Sequence, residues 1–149
     1  MSASIEAILG ERPRVLVVDD DVILRRVVRS ALAQAGFDVA QVGSGRDALR
    51  LASAYDLDLI VTDLQMPGMS GLELLYALQE QRTYCPVIVM SGSTEARPDA
   101  ILAAGAAAFL AKPFGLDELQ QAARTAVERA RTLAPPSSAV LLRRVGNVA

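Results

Sequence analysis

No histidine occurs in this chain, and only one lysine, Lys112, stands against fourteen arginines. The first absence excludes His-based triads, imidazole metal ligands and a phosphohistidine of the chain's own. The second makes Lys112 informative. A compact ammonium on a flexible stem suits a tight site that a planar guanidinium does not, and an arginine-dominated composition offers no other reason for it. Cys85 is the sole cysteine, so no internal disulfide can form and the chain reads as cytoplasmic. No apolar run approaches the roughly 20 residues that span a membrane. The opening MSASIEAILGERPR lacks the basic start and long apolar stretch of a signal peptide. Acidic and basic residues nearly balance, 17 against 15. A net −2 and a pI of about 5.1 imply no general attraction to nucleic acid.

What is present is a chain of 149 residues, 52% hydrophobic, enough for one domain with an ample core. Four short apolar runs each end at a residue suited to phosphate chemistry. Val15–Val18 ends in Asp19-Asp20-Asp21, Leu57–Thr62 in Asp63, Val87–Met90 in Ser91, and Ala107–Ala111 in Lys112-Pro113. Runs of this length, rich in β-branched residues, read as strands buried on both faces. A further short strand is expected at Phe37–Val42. Helical periodicity fills the gaps. Residues Asp21–Gln34 carry Val22, Leu24, Val27, Val28, Ala31 and Leu32 near a 3.6 period, stopped by Ala35-Gly36. Ser44 and Asp47 look like the cap and first turn of a second helix. Leu72–Glu80 reads as a third, and Pro98–Ala104 as a short fourth. Gly115–Leu133 is the last, with Leu116, Leu119, Ala123, Ala126, Val127 and Ala130 expected inside. The fold class is α/β, a (βα)5 doubly wound parallel sheet. Residues 1–12 are expected as a flexible lead-in, with at most one helical turn at Ile5–Leu9. Residues 13–133 are expected to form the domain, and 134–149, opening on Ala134-Pro-Pro-Ser-Ser138, to be a linker-like tail without an output domain.

In an open α/β sheet, ligands bind at the carboxyl ends of the strands. Three carboxylates, a hydroxyl and an ammonium would then share one crevice. Two carboxylates about 5 Å apart repel by roughly 3 kcal/mol at an effective dielectric of 20. A cation would relieve Asp19, Asp20 and Asp63, and Mg²⁺ accepts carboxylates, carbonyls, water and phosphate oxygens together. Negative charge capping the next helix would explain Asp19–Asp21 equally well if Asp63 did not end another strand. Asp63 can attack phosphorus to give an aspartyl phosphate. Lys112 would supply charge, and Ser91 a hydrogen bond to a phosphoryl oxygen.

Together these residues resemble the receiver domain of two-component response regulators, of the single-domain, chemotaxis-regulator type. The matching stretches are Val15-Leu-Val-Val-Asp-Asp20, Asp63-Leu-Gln-Met-Pro-Gly-Met-Ser-Gly-Leu-Glu-Leu74, Val89-Met-Ser-Gly-Ser93 and Gly105-Ala-Ala-Ala-Phe-Leu-Ala-Lys-Pro-Phe114, in the family's order and spacing. The resemblance implies a flavodoxin-like strand order of 2-1-3-4-5. It implies that Asp63 takes phosphate from a histidine kinase or a histidine phosphotransfer protein, and that the chain is a phosphoacceptor rather than a turnover enzyme. By position, Asp20 and Asp63 would bind Mg²⁺ directly, with the Gln65 backbone carbonyl as a third ligand and Asp19 helping, partly through water. Ser91 is the hydroxyl switch position, Phe109 the aromatic one, and a cis bond is implied before Pro113. Ser91 stands where Thr is commoner, and Phe109 lacks the phenol of the commoner Tyr.

Output is expected through residues 97–131 to a downstream protein partner, with a homodimer one form of such pairing, no direct nucleic-acid contact and no membrane. Ala103, Ala104, Ala106, Ala107 and Ala108 in that region are expected mostly to pack the sheet. Other readings remain open at this level: the receiver segment of a hybrid kinase, or a receiver-like binding module that is not phosphorylated. An aspartate phosphatase fits poorly, because its second acid would stand two residues after the nucleophile, where this chain has Gln65.

Overall fold

The computed structural model describes residues 12–133, so the expected turn at Ile5–Leu9 and the tail from 134 onward lie outside the described residues. Among the described residues, ten elements alternate. They are β1 (Arg14–Val18), α1 (Val22–Gln34), β2 (Asp38–Val42), α2 (Gly45–Ala54), β3 (Leu59–Asp63), α3 (Gly71–Glu80), β4 (Val87–Ser91), α4 (Pro98–Ala103), β5 (Ala108–Ala111) and α5 (Leu116–Leu133). All strand pairs are parallel and the order is β2-β1-β3-β4-β5. The expected (βα)5 sheet and its flavodoxin-like order are therefore what forms.

Period-2 alternation divides the core between the two faces of the sheet. Val15 and Val17 of β1 join a cluster with Val28, Ala31 and Leu32 of α1 and Leu119, Ala123 and Val127 of α5. Leu16 and Val18 join the opposite cluster with Ala48 of α2, Leu74 and Leu78 of α3 and Ile101 of α4. Every residue of β3 and β4 is buried, whereas edge strands β2 and β5 are partly exposed. Continuous apolar runs thus mark strands covered on both faces.

Boundaries moved in an instructive way. The apolar run at Leu57 does not start the strand, because Asp58 exchanges two bonds with Arg14: its carboxylate accepts from the Arg14 N–H at 2.7 Å and its own N–H donates to the Arg14 carbonyl at 2.8 Å. At the other end, β3 and β4 run on through Asp63 and Ser91. Both functional residues are therefore held by strand ladder bonds rather than by loops. Phe37 and Ala107, expected to open strands, lie just before them; Gly115 likewise precedes α5.

The buried stripe of α1 is Val28, Ala31 and Leu32, with Leu24 partly covered. Val22 and Val27, expected inside, are 46% and 43% exposed because they lie on the flank of that stripe. Leu116, also expected inside, is 46% exposed at the first position of α5, ahead of the turn where the helix meets the sheet. Of the five alanines, Ala106 is buried, Ala104 and Ala108 are half-buried, and Ala103 and Ala107 are exposed, so packing accounts for three of them. No helix among the described residues is long and apolar enough to cross a membrane.

Candidate functional site

Strand order reverses between β1 and β3, and the crevice at their carboxyl ends is where such a sheet binds ligands. Asp19 and Asp20 follow β1 directly, and Asp63 is the last residue of β3. One carboxylate oxygen from each of the three lies within 4.8 Å of the others. Helix capping does not account for them. The N-cap of α1 is Asp21, whose side chain accepts from Ile23 N and Leu24 N at 3.0 and 3.2 Å. Asp19 and Asp20 are left for the crevice.

Lys112 follows β5 and reaches across β4 into this cluster. Its Nζ donates to Asp63 Oδ1 at 2.9 Å and lies 3.7 Å from Asp19 Oδ2. The peptide bond from Lys112 to Pro113 is cis, as the resemblance implied. Ser91, 3% exposed at the end of β4, accepts from Ser93 N at 3.1 Å, which leaves its hydroxyl proton to donate. Register pairs Ser91 with Ala111, and Lys112 N donates to the Ser91 carbonyl at 2.8 Å. Phe109 pairs with Val89 in the ladder and is half-buried against the cluster that holds Ile101 and Ala106. Gln65 is exposed, two residues beyond Asp63. The structure thus gathers Asp19, Asp20, Asp63 and Lys112 directly, with Ser91 and Phe109 on the adjoining strands.

A divalent cation fits what is present. The donors are all hard oxygens, and their 4.8 Å spread is close to the roughly 4 Å span of an octahedral Mg²⁺ shell. One ammonium among three carboxylates leaves two negative charges uncompensated. Most telling is Asp19 Oδ2, which is buried and has no hydrogen-bond partner. Burying such an oxygen is costly unless something binds it.

Burial accordingly pushes the Asp19 carboxyl above the ordinary aspartate range; the Asp21 N–H and Lys112 pull it down, and Asp63 and Asp20 push it up again. A raised folded-state pKa means the folded protein binds the proton more tightly than the unfolded chain. The resulting stability is complete below about pH 4, the unfolded value, and is lost as pH rises through the folded value. At neutral pH, ionised Asp19 therefore destabilises the metal-free protein. Asp19→Asn keeps the Oδ1 acceptor for Asp21 N and is expected to raise the metal-free melting temperature at pH 7 while weakening Mg²⁺ binding. Thermal melts of both proteins at pH 4 and 7 check this, since the gap should close at the lower pH.

Gly71, the first residue of α3, shows why the loop after Asp63 needs glycine. A Cβ there would collide with the Asp63 carbonyl oxygen and come within 3.0 Å of Leu64 Cα. Its N–H meanwhile donates to the Leu64 carbonyl at 2.8 Å, folding the loop back on the end of β3. The Ser70–Glu73 capping box fixes the helix start beside it. Gly71→Ala should cost about 1–3 kcal/mol by overpacking and displace the Asp63 backbone. Urea unfolding together with phosphoryl uptake would measure both, and wild-type values for each would show that the loop yields freely.

Two participants escaped sequence reasoning. Arg25 of α1 donates from Nη1 to the Asp19 carbonyl at 2.7 Å, and Gln41 of β2 accepts from Arg25 Nε at 3.3 Å. Among fourteen arginines, no local pattern separates Arg25 from its neighbours Arg26 and Arg29.

Comparison with known proteins agrees with this geometry. The family model for the response regulator receiver domain matches residues 15–124. The transcriptional regulatory protein KdpE of Mycobacterium tuberculosis is 39% identical over 116 residues, covering 77% of this chain and 51% of that protein. The cell cycle transcriptional regulator CtrA of Caulobacter vibrioides is 33% identical over 119 residues, covering 79% of this chain and 52% of that one. The chain thus spans about half the length of these curated relatives. Among solved structures, the receiver domain of a Francisella response regulator aligns with a TM-score of 0.74 at 34% identity, covering 79% of this chain and 98% of its own. A chemotaxis response regulator of Vibrio cholerae aligns with a TM-score of 0.70 at 31% identity, covering 78% and 99%.

Proposed function

Since the chain belongs to the response regulator receiver family, we propose that it is the phosphoacceptor of a two-component phosphorelay, with Asp63 as the phosphorylated residue. One observation carries the reading: the only lysine of the chain contacts Asp63 at 2.9 Å inside a three-carboxylate cluster that contains an unbonded buried oxygen.

In this reading the donor is a phosphohistidine on a histidine kinase or a phosphotransfer protein, and the 149 residues hold no histidine that could serve instead. An Asp63 oxygen attacks phosphorus, the new P–O bond forms, and the P–N bond breaks with its electron pair going to the imidazole nitrogen. Little covalent chemistry is left to the protein beyond positioning and charge neutralisation. Lys112, already on Asp63, follows charge onto the phosphoryl oxygens, and the Ser91 hydroxyl donates to one of them. Asp19, Asp20, Asp63 and the Gln65 carbonyl would hold Mg²⁺, which when bound neutralises charge on the phosphoryl group. The chain assists its own phosphorylation and slow dephosphorylation without turning over a separate substrate.

Ser91 and Phe109 sit on adjacent strands, so drawing Ser91 toward a phosphoryl group provides a route to Phe109 and the surface of residues 97–131. A switch of this kind needs two states only a few kcal/mol apart. The surface is read by a downstream protein, or by a second copy of the chain. In this reading the site works in the cytoplasm.

Treating the full chain with phosphoramidate and Mg²⁺ tests the reading. One phosphoryl group should be added, labile to hydroxylamine as acyl phosphates are, and none should be added when the metal is chelated beforehand. Failure of uptake from every donor would favour the non-phosphorylated binding module.

A further inference from the structure

Asp19 is held at every polar atom but one. Its N–H donates to the Val42 carbonyl at 3.2 Å, its Oδ1 accepts from Asp21 N at 2.9 Å, and its backbone carbonyl accepts from Arg25 Nη1 at 2.7 Å. The exception is Oδ2, buried and without a hydrogen bond. Arg25 is half-buried, and its Nε also donates to the Gln41 side chain at 3.3 Å. Space for the guanidinium comes from Gly43, where a Cβ would stand 3.0 Å from Arg25 Nη1. Helix α1, the end of β2 and the loop after it therefore converge on one carbonyl, that of the residue whose free oxygen faces Lys112.

We propose that Arg25 is a positioning residue for the cation site: its fork ties the Asp19 carbonyl to Gln41 at the end of β2 and so keeps Asp19 Oδ2 aimed into the carboxylate cluster. This rests on the reading of that cluster as a divalent-cation site. Arg25 touches neither the cation nor the phosphoryl group and acts through Asp19 alone. The planar fork matters because one side chain must serve two acceptors in fixed directions.

The proposal makes a prediction of sign. Arg25 brings a positive charge close to the site, so on Coulomb grounds alone its removal tightens Mg²⁺ binding. Positioning demands the opposite. In full-length protein, Arg25→Ala should weaken Mg²⁺ binding about tenfold, as loss of an orienting partner does in other metal sites. The measurement is calorimetric titration with Mg²⁺ at a temperature where both proteins are folded by circular dichroism. In an Asp19→Ala background the same substitution should have no further effect. Gln41→Ala, on the exposed face of β2, should give a smaller loss in the same direction and serves if Arg25→Ala does not fold. Equal or tighter binding in the folded Arg25 variant, or in Gln41→Ala if that is the one measured, overturns the clamp while leaving the cation site intact. A loss that persists without Asp19 also overturns it. Absence of Mg²⁺ binding in the parent protein overturns the cation site itself, and the clamp with it.

Discussion

Asp63→Asn is expected to abolish phosphoryl uptake. An amide matches the carboxylate in size and keeps an oxygen for the Lys112 ammonium, now 2.9 Å from Oδ1, but it offers no anionic oxygen to attack phosphorus. Folding should survive, because β3 is held by its ladder bonds to β1 and β4 and by its buried side chains. Loss of one of three clustered negative charges removes repulsion as well. The variant should therefore be at least as stable as the parent in the absence of metal while taking up no phosphate. Intact-mass spectrometry after phosphoramidate and Mg²⁺ decides. A parent-sized mass increase in the asparagine variant would mean that another residue is the acceptor.

Removing Lys112 should produce the second large effect, and on stability as well as function. Its partners are nearly dry: the Asp63 side chain is 11% exposed and that of Asp19 is 1%. Deleting one partner of a buried pair leaves the other charges uncompensated, at a cost of several kcal/mol. With Lys112 itself 23% exposed, about 2–3 kcal/mol is expected for Lys112→Ala without metal. Mg²⁺ should restore much of this, since binding to the folded state alone stabilises it. Lys112→Arg separates charge from shape. It keeps the cation, so stability should hold, but a wide planar group in place of a point charge should impair the response to phosphorylation. Urea unfolding of the alanine variant with and without Mg²⁺ reads the first expectation. Amide exchange between residues 91 and 112 in phosphorylated parent and arginine variants reads the second. A metal-free alanine variant as stable as the parent would show that Lys112 does not balance the cluster. A full exchange response in the arginine variant would make the single lysine incidental.

Most of the architecture was legible because its signals are local. A strand buried on both faces must be apolar without interruption, so β1, β3 and β4 announce themselves as runs. An acid, a hydroxyl and a lysine at the ends of such runs can share a crevice only if the strands are parallel. The absence of histidine and the solitary lysine narrowed the chemistry further, and motif order pointed to the family that the comparisons show.

Strand ends were less legible, because propensity does not see partners. Asp58 starts no strand since its carboxylate is committed to the Arg14 backbone, a bond across 44 residues of chain. Val22 and Val27 are apolar enough for the core, yet they lie on the flank of the one stripe of α1 that meets the sheet, and Leu116 precedes the turn at which α5 reaches it.

From sequence alone followed the (βα)5 class, the strand order implied by the family motifs, and the choice of Asp19, Asp20, Asp63, Ser91, Phe109 and Lys112 as candidate site residues. Tertiary structure alone decided that Asp21 and not its neighbours caps α1, that Gly71 must be bare to let the loop close on Asp63, and that Arg25 holds the Asp19 carbonyl. Periodicity and motif order are properties of neighbouring residues, whereas a hydrogen bond or a collision depends on distances that exist only once distant segments are packed together.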